Sequence, residues 1–226
     1  MKKTGRYDTS ELIENQYEPG SRGRVLRNLL GIKSKREMDQ IEGQSQVRAL
    51  DRLVRLYDSQ HQFTAADICQ IHREWLGDIY PWAGQYRQVN LGKGDFTFAV
   101  ARWIPKLMAE FASDSLAAGT PCRNMKLREV VQALAQVHTE LLLIHPFRDG
   151  NGRMARLLAI LMALQADLPV LDFSNIKGRK REEYFAAVRS GINADYGPME
   201  KIFEVVVEET LSRYERRSRR PASKKH

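Results

Sequence analysis

The chain has 226 residues, of which 42% are hydrophobic and 28% charged, a composition ordinary for a globular protein and long enough for one substantial core or at most two small domains. No run of 18 apolar residues occurs, and the opening "MKKTGRYDTSELIENQ" has no apolar stretch behind its lysines. Neither a membrane span nor a secretory leader is therefore expected, and the expected location is the cytoplasm. The net charge of +8 is mostly local, because residues 213–226 hold seven Lys/Arg against one Glu; a body at +2 argues against direct nucleic-acid binding.

Residues 1–34, rich in glycine and charge, read as an irregular N-terminal arm with a short apolar patch. From Lys35 to Asp58, Met38, Ile41, Val47, Leu50, Leu53, Val54 and Tyr57 recur mostly three or four apart, which predicts a helix. Thr64 with Asp67 three residues on forms a capping box that opens "AADICQIHREWLGDIY" as the next helix. Gly84, Gly92 and Gly94 then punctuate two β-prone pieces, Tyr86–Leu91 and Phe96–Val100, around a "GKGD" turn, and these read as a hairpin. Further helices are expected at 104–116, 126–144, through "RMARLLAILMALQAD", and near 180–192 and 198–217. The expected fold is mainly α with one β-hairpin, as a single domain over 35–212 followed by a solvated, disordered basic tail at 213–226.

"HPFRDGNGRMAR", residues 145–156, breaks the pattern by ending an apolar helix in crowded polar chemistry. Pro146 cannot continue a helix, and Gly150 and Gly152 weaken one. The second half should start the next helix, whose first turn carries unsatisfied N–H groups and partial positive charge. There the two glycines allow a phosphate near the backbone, and Asn151 caps the helix or donates its amide. Arg153 and Arg156, three apart on one face, suit a polyphosphate because guanidinium binds bidentately. Asp149 makes sense in so cationic a nest if Mg²⁺ sits between it and the phosphates. His145 is placed to take a proton from the attacking group.

Competing readings of these residues are weaker. "GNGRMAR" lacks the Lys-Ser/Thr of a Walker A loop, and it lacks the third glycine and preceding strand of a dinucleotide fingerprint. His138 and His145 have no third zinc ligand at helical spacing, and His61, His72 and His138 read as satisfied core histidines. Cys69 and Cys122 are too isolated for a disulfide framework or a zinc site. H-x-F-x-x-G-N-G-R fixes six residues, so at ~5% usage each a chance match is on the order of 10⁻⁶ to 10⁻⁵.

The motif resembles the signature of the Fic (Fido) family, H-x-F-x-D/E-G-N-G-R-x-x-R, and the resemblance extends to "IHREWLGDIYPWAGQYR" and "LGKGDFTFA" upstream. It implies a Fic-type helical bundle with a β-hairpin flap, and transfer of AMP from ATP to a Tyr, Thr or Ser hydroxyl of a target protein. By match, it implies that His145 is the general base, that Asp149 holds Mg²⁺, and that Gly150, Asn151 and Gly152 bind the α- and β-phosphates. Arg153 would grip the β/γ end with support from Arg156, and Phe147 would be the buried peg of the loop. Lys93, Gly94, Asp95, Phe96, Thr97 and Phe98 would form the flap on which an extended target segment docks. The alternatives are phosphoryl transfer by the Doc branch, whose motif departs from Gly-Asn-Gly-Arg, another nucleotidyl or phosphocholine transfer, and a DNA-binding regulator built on the tail.

The resemblance also raises the question of restraint. In the family a helix with S/T-x-x-x-E-G/N sets its glutamate against the motif's first arginine, where the γ-phosphate would lie. "SELIEN" supplies Ser10, Glu14 and Asn15 in that spacing, and "MDQIEG" supplies Glu42 and Gly43 but Met38 in place of Ser or Thr. Likeness of the "PGS…NLLGI" arm to the toxin branch favours a separate small antitoxin as the source of the glutamate, with Glu14 next and Glu42 last. The same likeness makes a gyrase or other topoisomerase subunit a candidate target.

Overall fold

The computed structural model describes residues 11–218. Eight α-helices are assigned among them: α1 (Lys35–Leu56), α2 (Ala65–Leu76), α3 (Ile104–Phe111), α4 (Ala117–Gly119), α5 (Leu127–Ile144), α6 (Asn151–Gln165), α7 (Arg179–Ser190) and α8 (Gly197–Ser218). Two strands, β1 (Gly92–Lys93) and β2 (Phe96–Thr97), pair antiparallel with Gly92 opposite Thr97 and Lys93 opposite Phe96. The chain is thus mainly helical with one hairpin, as the periodicities predict.

The chain divides into two compact units. The first contains the residues up to Leu56, Thr64–Glu110 and Ile144–Met154; the second contains Tyr57–Phe63, Phe111–Leu143 and the chain from Ala155 onward. In the first, α1 packs on α2. Met38, Ala49 and Leu53 are buried on one helix and Ile68, Ile71, Trp75 and Leu76 on the other. Ser45 Oγ donates to the Trp75 carbonyl (2.6 Å) and Trp75 Nε1 to the Glu42 carbonyl (2.9 Å), so the two helices are bonded as well as packed. The capping box of α2 is present: Thr64 Oγ1 accepts from Asp67 N, and Thr64 N donates to Asp67 Oδ2. In the second unit α7 packs on α8, and Leu134, Val137, Leu141, Leu158, Met162, Tyr184 and Phe203 are buried there.

Several boundaries depart from the sequence reading. The helix expected over 104–116 is α3 followed by a π-helical stretch, Ala112–Leu116. α8 runs to Ser218, so residues 213–218 of the expected tail are helical; residues beyond lie outside those described. The arm is irregular, with a three-residue 3-10 turn at Ile13–Asn15 and a bridge between Tyr17 and Leu26. Asn28 stiffens it by donating to the Leu26 and Ile32 carbonyls and accepting from Ile32 N. The hairpin strands hold two residues each, far shorter than Tyr86–Leu91 and Phe96–Val100. The acceptors a longer ladder would use are taken, because Arg87 claims the carbonyls of Val89 and Ala99.

Candidate active site

Between α5 and α6 the loop 145–150 is held from three sides, all within the first unit. His145 follows the last residue of α5 with φ +53°, a left-handed conformation that few non-glycine residues adopt. Phe147 is fully buried, and Asn151 grips its backbone twice, accepting from Phe147 N (2.9 Å) and donating to Phe147 O (2.8 Å). The Asn151 amide oxygen and one of its two N–H groups are thus committed to the loop. Gly150 has φ +81°, and a Cβ there would stand 2.8 Å from Trp75 Cζ3. Gly152, in the first turn of α6, differs: a Cβ there meets no atom within 4 Å.

His72, a core histidine by sequence, does more than fill space. It stacks on Phe147 with ring centroids 3.8 Å apart. Its Nδ1 accepts from Gly84 N (2.9 Å), which places the proton on Nε2 and makes that atom the donor to the Asp149 carbonyl (3.1 Å). Burial lowers its pKa to about 4, which keeps it neutral in this role. Among the described residues no group of three His, Cys, Asp or Glu could hold a metal. Asp149 Oδ1 accepts from Gly150 N. A single carboxylate fits Mg²⁺, whose other ligands come from phosphates and water.

Arg153, at the start of α6, already has an anionic partner. Its Nη1 lies 2.6 Å from Glu42 Oε2, with the guanidinium 4.6 Å over the Trp75 ring. Glu42 is only 2% exposed. Its other oxygen accepts from Tyr80 OH (2.6 Å), and burial together with that carboxylate holds the Tyr80 phenol far above its usual pKa. Glu14 is placed differently from the expectation. It accepts from Gln88 N (2.7 Å), its carbonyl accepts from Arg148 Nε (2.8 Å), and its segment is the 3-10 turn that also holds Asn15, too short for an inhibitory helix. Ser10 lies outside the described residues.

Arg156 belongs to the second unit, where its guanidinium lies 5.8 Å from the ring centroids of both Phe173 and Tyr184. His138 is there as well, fully buried, donating from Nδ1 to the Ala155 carbonyl (3.1 Å) and accepting from Tyr184 OH at Nε2 (2.5 Å). Both its nitrogens are satisfied, as expected of a core histidine.

The hairpin supplies the last group of predicted residues. Lys93, Gly94, Asp95 and Thr97 are exposed. Phe98 is half-buried and stacks on the His145 imidazole, with centroids 3.7 Å apart and planes 18° apart; Phe96 meets Phe98 edge-on at 5.2 Å. The flap therefore touches the predicted base directly. Glu42, His72 and Arg87 are the site residues that reading motif positions alone undervalued or missed. A carboxylate inside an apolar helical face is the signal for Glu42. For His72 and Arg87 the signal is only a polar residue among apolar neighbours in "QIHREWL" and "WAGQYRQV".

A polar loop therefore closes on the N-terminus of a helix, with a histidine under an aromatic flap and an arginine at the first turn. Residues 62–163 match the Fic/DOC family. The probable protein adenylyltransferase Fic of Escherichia coli K12 is 30% identical over 143 residues, which cover 62% of this chain and 67% of that one. The chain belongs to the Fic/DOC family. Protein adenylyltransferase fic-1 of Caenorhabditis briggsae is 26% identical over 92% of this chain, which spans only 40% of that longer relative. BepC of Bartonella tribocorum, solved with AMPPNP, shares the fold at a TM-score of 0.68 and 22% identity, over 87% of this chain and 98% of that one.

Proposed function

We propose that the chain is a protein adenylyltransferase that moves AMP from ATP to a Tyr, Thr or Ser hydroxyl of a target protein. The observation that carries this reading is Gly152. Neither backbone angle nor packing requires glycine there, so its small size serves something outside the chain, at the helix turn that attracts anions. The unpaired N–H groups of the first turn of α6 and Arg153 bind the polyphosphate. His145 takes the proton as the target oxygen bonds to the α-phosphorus and pyrophosphate leaves. Asp149 holds Mg²⁺, which when bound neutralises developing phosphate charge. The names of the relatives support AMP over phosphoryl transfer, as does the intact Gly-Asn-Gly-Arg.

Restraint resides in the chain itself. Glu42 holds the Arg153 guanidinium that the β/γ end of ATP needs, and this ion pair favours Glu42 over Glu14 and over a separate antitoxin. A topoisomerase subunit is the candidate target, on the likeness of the arm to the toxin branch, and the cytoplasm is the place of action. No helix among the described residues is long and apolar enough to cross a membrane.

The test is incubation of protein and host lysate with ATP labelled at the α- or the γ-phosphate. The α-label alone should appear on protein, and His145→Ala should abolish it while ATP still binds. Transfer of the γ-label would instead establish a phosphotransferase, and DNA binding without either label a regulator.

A further inference from the structure

Arg87 is 1% exposed, and a buried guanidinium normally has a carboxylate hydrogen-bonded to it. Here the guanidinium donates instead to four main-chain carbonyls. Nε donates to His145 O (2.7 Å) and Nη1 to Val89 O (2.7 Å), while Nη2 donates to Ala99 O (2.6 Å) and, more weakly, to Ile144 O (3.3 Å). Its own N–H donates to Pro146 O (2.9 Å). Burial pulls its pKa down to about 10, with the Glu14 charge opposing, so the cation persists at neutral pH.

These acceptors come from three stretches of chain. Ile144 and His145 are the end of α5, where helix carbonyls lack intrahelical donors and carry partial negative charge. Val89 precedes β1 and Ala99 follows β2, so they are the two roots of the flap. Ala99 is also the neighbour of Phe98, which stacks on His145. One planar fork therefore binds the backbone of the histidine and the backbone next to the ring that covers it. A lysine ammonium, with three donors at one point, cannot span the same acceptors.

We propose that Arg87 is the positioning residue for His145, riveting both roots of the flap to the end of α5 so that the imidazole is held against Phe98. The rivet also keeps His145 at its left-handed backbone angle, a conformation that surrounding contacts must impose. The catalytic consequence rests on the role given to His145 above; the geometric one does not.

The experiment follows the imidazole directly. The chain has five histidines, so their Cε1–H resonances can be assigned by substitution. His145 on Phe98 and His72 on Phe147 are both stacked, at 3.7 and 3.8 Å, and both should show ring-current shifts. In Arg87→Lys the His145 shift should be lost while that of His72 stays, and Phe98→Ala, with Arg87 intact, should reproduce the loss. Kinetically, Arg87→Lys should lower kcat about 10- to 100-fold, the effect of a misplaced group of about 1 Å, with ATP affinity within about twofold. An unmoved His145 resonance overturns the proposal. So does loss of both shifts, or outright unfolding of Arg87→Lys, since Arg87 would then hold up the unit and not one side chain. Should the wild-type chain transfer no AMP, the resonances still decide the geometric claim, and only the role of His145 fails.

Discussion

At the scale of single residues, Gly150 closes the loop and Gly152 lies in the first turn of α6, two positions on, and the two are held by different forces. Gly150 sits at φ +81° with Trp75 where its side chain would be. Gly150→Ala should therefore cost stability by about 2–4 kcal/mol, from left-handed strain plus overpacking. Gly152 has open space and a helical position. Gly152→Ala should leave stability unchanged or raise it by up to ~1 kcal/mol, through helix propensity, yet weaken ATP binding. Thermal unfolding with and without ATP separates the two. A Gly152→Ala protein that binds ATP like the wild type would remove the main support for a phosphate at this turn. Both glycines are evident in the sequence as breaks in helical periodicity. What is not evident is which of them answers to the protein and which to the ligand, because that depends on Trp75, far away in the chain.

At the scale of elements, two buried histidines tie loops and helices together in their neutral forms. His72 joins α2 to the 145–150 loop, and His138 joins α5 to α6 and α7. Burial lowers their pKa values to about 4 and about 3, from an ordinary 6.5. Between those values and 6.5 the unfolded chain binds protons that the folded chain refuses, so stability rises with pH across that window and is lost as pH falls through it. Each unit of pH below 6.5 costs about 1.4 kcal/mol per histidine. The thermal midpoint should thus fall from pH 7 to pH 5, and His138→Gln should remove about half of that slope. A midpoint flat over the interval would mean that both imidazoles protonate in place. The helices bearing these residues were legible because the 3.6-residue period and the Thr64–Asp67 box are local properties. The hairpin was over-extended for the converse reason: "QYRQVNL" has strand character, but its hydrogen-bonding is redirected by a side chain within the segment itself.

At the scale of the molecule, the contact proposed to restrain activity joins Glu42 to Arg153, 111 positions apart. A hydrogen bond to a charged group is worth about 1.5–3 kcal/mol. Releasing it by Glu42→Gly should raise AMP self-labelling about 10- to 100-fold and tighten ATP, while Glu14→Gly should not. Glu42→Gln keeps an acceptor for Tyr80 OH, so it should activate even if the glycine variant is less stable. Activation by Glu14→Gly, or none by either Glu42 variant, would return the restraint to another part of the chain or to a partner protein. The sequence by itself determined the main helices and the loop between α5 and α6, and it named the residues expected to handle a phosphate, since each is written in adjacent or periodically spaced positions. It ranked Glu14 above Glu42 because spacing and residue type were all it offered, and Met38 spoiled the pattern. Only the tertiary structure decided which carboxylate meets Arg153, that Arg87 collects carbonyls from three segments, and that Phe98 lies on His145. Those pairings follow from the packing of α1 on α2 and the path of the chain between Val89 and Ala99, where distance in space bears no relation to distance in sequence.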